Sequence, residues 1–138
     1  MQNNNKKKCC IYARCSSPRQ EAFRLHTQSQ IEDCKKIAKR RNLEVKDIFT
    51  ENKHASKPNS RPNFEIMLKR IKSGEFDSVI CHTLDRLFRN ETDSFKLSQL
   101  IGEGNLKRII TAEGEFTPVF DTLPLSNLKK KIVKRTTR

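Results

Sequence analysis

The 138-residue chain lacks a C-x-x-C pair, a G-x-G-x-x-G turn, a P-loop lysine motif, an internal repeat and any apolar run long enough to cross a bilayer. Each absence removes a class of function. Without the glycine-rich turns, a nucleotide-binding protein becomes a distant reading. Five cysteines, Cys9, Cys10, Cys15, Cys34 and Cys81, are odd in number and follow no secretion-like apolar region. A disulfide framework or zinc site is therefore not expected, and the cytoplasm is the expected compartment. A thiol phosphatase needs Cys-x5-Arg around a phosphate cradle, and only Cys34 with Arg40 has that spacing. The intervening Lys35-Lys36-Ile37-Ala38-Lys39 reads as helix, which excludes the cradle.

Acid is missing from both ends. Formal charge is +13, and Lys6, Lys7, Lys8, Lys129, Lys130, Lys131, Lys134, Arg135 and Arg138 supply nine of those charges from two acid-free stretches. Such a balance favours a polyanionic partner, nucleic acid first among soluble ones, although basic ends are as often merely solvated. One core of ordinary size suits this length.

What remains alternates strand and helix. The strand Cys9–Arg14 precedes a polar stretch over 17–26, and Thr27-Gln28-Ser29-Gln30 has the capping-box pattern that predicts a helix from there to Arg41. Its inward side is expected to be Ile31, Cys34, Ile37 and Ala38. Leu43–Thr50 reads as a second strand and 51–60 as a mobile loop. Pro62 then opens a helix with Phe64, Met67, Leu68 and Ile71 at helical spacing, closed by Gly74. Ser78–His82 is a third strand, followed by a turn with Leu84, Leu87 and Phe88 inward. A helix over 91–101 uses Phe95, Leu97, Leu100 and Ile101, and Arg108–Ala112 is a fourth strand. Strands separated by helices predict an α/β fold with a mainly parallel four- to five-stranded sheet flanked by helices, and ligands gather at the strand carboxyl ends of such sheets.

Tyr12, Arg14 and Ser16 sit two residues apart at one such end, so they share a face. A serine beside a fixed guanidinium has the chemistry to attack a phosphate, yet the alternation alone also fits an ordinary surface strand end. The wider pattern separates these. Tyr12-Ala13-Arg14-Cys15-Ser16 with Gln20, then Gln30-Ile31, then Arg61-Pro62-Asn63-Phe64, then Leu84-Asp85-Arg86-Leu87-Phe88-Arg89-Asn90 occur in order. That set resembles the catalytic domain of serine site-specific recombinases, the resolvase, invertase and large serine integrase family.

The resemblance implies a resolvase-like catalytic domain over residues 9–116, with Ser16 as nucleophile and Ser17 the lesser candidate. It implies double-stranded DNA as substrate, a 5′-phosphoserine intermediate, strand exchange, rejoining, and no cofactor or metal. Arg14, Arg61, Arg86 and Arg89 would offset charge on the phosphorane, since planar guanidinium forks match phosphate oxygens. Asp85 would orient arginines or handle the proton on the leaving 3′-oxygen. Tyr12, Gln20 and Gln30 would support the pocket, whereas His54 and His82 match no family position. Homodimers or tetramers are expected of the family.

Residues 1–8 are expected to be a basic tail and 117–138 an atypical basic tail without a DNA-reader domain. Pro118 and Pro124 would interrupt the long helix the family carries there. Ser126 is placed to cap a short helix with Leu128, Ile132 and Val133 on one side, and Lys129, Lys130, Lys131, Lys134 and Arg135 are candidate DNA contacts. The expectation is thus a catalytic-domain fragment or truncated recombinase, the alternative a non-catalytic DNA-binding or regulatory remnant.

Overall fold

The structure is a computed structural model and describes residues 6–15, 19–52, 61–84, 87–88, 90–117 and 133–135. Its first strand, β1 (Lys7–Arg14), is apolar on both faces and is buried on both. Cys10 and Tyr12 point to one side and Cys9 and Ile11 to the other. A strand with two apolar faces needs cover above and below, and the helices provide it. Helix α1 (Gln20–Arg40) covers one face with Cys34, Ile37 and Ala38. Helices α2 (Pro62–Lys72) and α3 (Glu91–Gly102) cover the other.

The remaining strands are β2 (Leu43–Glu51), β3 (Ser78–Cys81), β4 (Arg108–Thr111), β5 (Gly114–Thr117) and β6 (Val133–Arg135). The sheet order is β2-β1-β3-β4-β5-β6. The first four are mutually parallel, while β5 and β6 are added antiparallel. The chain leaves β1 to one side to build β2 and returns to the other side to build β3. The order therefore reverses between β1 and β3, the position at whose strand carboxyl ends ligands of such sheets gather.

Four sequence expectations change. Helix α1 begins at Gln20, seven residues before the capping-box pattern. Thr27 does not cap; its hydroxyl donates back to the Phe23 carbonyl at 2.8 Å inside a continuous helix. Phe95 was expected inward but is 47% exposed. The buried stripe of α3 runs 93, 97, 100, 101, and a buried Asp93 occupies its first position, which turns Phe95 outward. Lys7 and Lys8 are strand residues paired with Leu43 and Glu44, so the basic end is shorter than expected. Val133 lies in β6, where a helix was expected, because that segment pairs with β5 at Thr117.

Helix α2 follows its pattern: Pro62 occupies the first turn, Phe64, Met67, Leu68 and Ile71 are buried, and Gly74 closes it at φ 89°. Leu97 joins α3 to the same core with no exposure. Leu97→Ala is expected to lower stability by about 2–5 kcal/mol, read by denaturant titration, because a cavity adds to the lost burial.

Candidate active site

Arg14 ends β1 and its side chain is buried. Two neighbours fix its backbone. Gln30, buried on α1, donates Nε2 to the Arg14 carbonyl at 3.2 Å, and the next residue, Cys15, donates its N–H to the Glu51 carbonyl at 3.0 Å. The strand end that leads into Ser16 is therefore tied to both α1 and β2. Ser16 itself, with Ser17, Asp85, Arg86 and Arg89, lies outside the described residues, as do His54 and Lys129, Lys130 and Lys131. Lys134 and Arg135 are in β6. Gln20 is exposed at the start of α1, and His82 is exposed after β3.

Tyr12 is fully buried and meets Phe64 edge-on, with ring centroids 5.9 Å apart. Its hydroxyl has no hydrogen-bond partner among the described residues, and burial pushes the phenol pKa up, with the Arg61 charge opposing.

Glu51 was not anticipated as part of this site. It stands opposite Arg14 in the β1–β2 register and is buried. Its carboxylate accepts backbone N–H bonds from Asn63 at 3.3 Å and Phe64 at 3.0 Å, capping α2, whose own N-cap residue, Arg61, makes no side-chain cap. The available signal was the period-two pairing of Phe49 with Glu51 on one strand face. Burial raises the Glu51 pKa, outweighing those two bonds and the Arg61 charge. Native Glu51 thus holds its proton more tightly than the unfolded chain does, so stability falls as pH rises from its ordinary value of 4.5 through the raised one. Glu51→Gln should remove that decline in melting temperature. Asp47, lowered chiefly by its bond to Arg70, acts in a separate window, losing its contribution only as pH falls below 3.8.

Arg61, expected to face a phosphate, has no exposure at all. Its guanidinium donates Nε at 3.3 Å and Nη2 at 3.1 Å to Asp93 Oδ2, and Nη2 to the Leu87 carbonyl at 2.9 Å. The Phe64 ring lies 3.8 Å beneath it. Asn90 caps α3, accepting the Asp93 N–H at 2.8 Å, and sends Nδ2 to Asp93 Oδ2 at 3.1 Å.

Cysteine nucleophiles fit poorly. Burial pushes the Cys9 and Cys34 thiols up to about 12 and that of Cys10 up as well, which keeps all three protonated. Among the described residues no cluster of three or more His, Cys, Asp or Glu is placed to hold a metal ion, and no helix is long and apolar enough to cross a membrane.

Strands β1 and β3 are adjacent and parallel, with Tyr12 opposite Cys81, so their carboxyl ends lie at the same end of the sheet. The family model described as "Resolvase, N terminal domain" matches residues 9–125. The chain belongs to this resolvase family. It is 30% identical over 90 residues to the Transposon Tn501 resolvase of Pseudomonas aeruginosa, a match covering 65% of this chain and 46% of that protein. The chain thus spans about half the length of the curated relatives it matches. The N-terminal catalytic domain of TP901-1 integrase superposes with a TM-score of 0.61 at 26% identity, covering 76% of this chain and 77% of that one. A resolvase family site-specific recombinase from Streptococcus pneumoniae shares the fold, with a TM-score of 0.66 at 23% identity over 91% of this chain and 85% of that one.

Proposed function

We propose that the chain is the catalytic domain of a serine site-specific recombinase, with residues 9–116 as the catalytic unit and double-stranded DNA as its substrate. The observation that carries this reading is the adjacency of β1 and β3 at the point where strand order reverses. That adjacency supports a reading in which the segments that follow Arg14 and Cys81, which carry Ser16 and Asp85, Arg86 and Arg89 in the sequence, work together although they come from distant parts of the chain. The Ser16 oxygen attacks the scissile phosphorus and loses its proton. The bond to the 3′-oxygen breaks, that oxygen takes a proton, and the enzyme is left with a 5′-phosphoserine and a free 3′-hydroxyl. Rejoining runs the same steps backwards after strand exchange.

Arg14, Arg86 and Arg89 stabilise charge on the equatorial oxygens, and Asp85 orients them or carries the leaving-group proton. Buried Tyr12 and Gln30 hold the Arg14 end of β1 in place, and Gln20, exposed at the start of α1, supports the pocket in this reading. Dimers or tetramers bring two or more such sites together on the DNA, as expected of the family, and the basic residues Lys129, Lys130, Lys131, Lys134 and Arg135 add attraction to the backbone.

The test is a nicked suicide duplex bearing the cognate site, incubated with the chain alone and joined to its downstream gene segment. A serine-linked 5′ end identified by mass spectrometry is the expected result. DNA binding with no adduct from either form would return the reading to a non-catalytic remnant. Binding by the chain alone should weaken steeply as salt rises and discriminate little among sequences, because phosphate contacts dominate it. A fluorescence-anisotropy salt series checks this.

A further inference from the structure

We propose that Arg61, Asp93 and Asn90 form a positioning peg that ties the backbone at Leu87 and the start of α3 to the start of α2, and through those fixed points constrains the chain that carries Asp85, Arg86 and Arg89. This rests on the recombinase reading above. The peg is visible as one buried oxygen: Asp93 Oδ2 gathers Nε and Nη2 of Arg61 and Nδ2 of Asn90. Both members of the ion pair have fully buried side chains. Arg61 also holds the Leu87 carbonyl, and its plane is set by the Phe64 ring beneath it.

Stability alone does not account for such a pair. Desolvating both charges offsets much of their attraction, and an apolar pair of similar volume would serve the core at least as well. What an apolar pair does not supply is aim. The arrangement ties the start of α2, the backbone at Leu87 and the N-terminus of α3 to a single point. Residues 86 and 89 are each one Cα step, about 3.8 Å, from tied residues 87 and 90. Pinning those two positions limits where the Arg86 and Arg89 side chains begin.

The competing role is direct contact between Arg61 and phosphate. It would require the guanidinium to leave the core and give up both bonds to Asp93 Oδ2, leaving that buried carboxylate, among the described residues, with only the Asn90 amide at 3.1 Å and the longer Lys96 contact at 3.9 Å. The structure favours action through Leu87, which makes Arg61 a positioning residue.

The two roles separate experimentally in the full chain. Asp93→Asn keeps shape but removes the charge, and Asn90→Ser keeps the α3 cap while deleting the amide donor. Single-turnover cleavage of the nicked duplex should fall about a hundredfold in Asp93→Asn and less in Asn90→Ser, with DNA affinity nearly unchanged, since a misplacement near 1 Å has that scale of effect. Arg61→Lys combined with Asp93→Asn should be no slower than the worse single variant.

Amide exchange at Leu87 and Phe88, whose N–H groups both bond the Leu84 carbonyl, should accelerate in both variants while Ile80 in β3 stays protected. Cleavage by Asp93→Asn at or above wild-type speed would overturn the peg. So would an Arg61→Lys variant whose main defect is weaker DNA binding with a salt slope smaller by about one. Absence of a serine adduct in the wild type would sink the recombinase reading instead. The exchange measurement still judges the peg in that case, and unaltered protection at Leu87 and Phe88 in both variants rejects it. Asn90→Ser carries the test if Asp93→Asn does not fold.

Discussion

Ser16→Ala eliminates the covalent protein–DNA adduct on a nicked suicide duplex and leaves DNA binding within about twofold of wild type, because binding rests on phosphate contacts that the hydroxyl does not make. The expected loss is complete and not graded, since the proposed reaction has a single nucleophile. Ser17 is the lesser candidate by the family resemblance, so Ser17→Ala is expected to keep forming adduct. Gel-shift and denaturing-gel analysis of the same reactions reads both quantities. An adduct retained by Ser16→Ala and lost in Ser17→Ala would move the nucleophile by one residue and invalidate the facing argument built on Tyr12 and Arg14.

The second large effect belongs to Arg86→Lys. Charge is preserved, so long-range attraction to DNA and the salt slope stay nearly constant. The fork is lost, and with it the paired N–H bonds to two phosphate oxygens that the proposed reaction assigns to Arg86. Removal of one such transition-state donor costs about 3–4 kcal/mol, close to a thousandfold in single-turnover cleavage. Wild-type cleavage by Arg86→Lys would mean that a point charge suffices at that position.

Helix α2 was legible in every respect, because proline at its start, an unbroken apolar spacing and a closing glycine all agree. The four parallel strands were legible for the same reason: short β-branched and apolar runs stand between helical stretches. Helix α1 was misplaced at its start because a capping-box pattern is local, whereas Thr27 bonds back to the Phe23 carbonyl and Gln30 reaches the Arg14 carbonyl of β1 from within a helix that already runs from Gln20. In the candidate site, the motifs around Arg14 and Arg61 were readable, but the surroundings of those side chains were not. Nothing in the local sequence pairs Arg61 with Asp93, thirty-two residues away, or sets Glu51 across from Arg14. Such partners follow from strand order and helix placement, which a linear reading supplies only in outline. The same reason explains Phe95: helical spacing marks it as apolar, and the carboxylate needed by Arg61 takes the inward position.

The antiparallel addition of β6 to β5 bears on self-association. An open sheet ends in unpaired N–H and C=O groups that invite another chain, and β5 would present them beyond Phe116 and Glu115. A three-residue strand carrying Lys134 and Arg135 closes that border with the shortest and most cationic edge in the sheet. A strand this short offers few backbone groups for another chain to pair with, which disfavours edge-to-edge growth into a continuous ribbon.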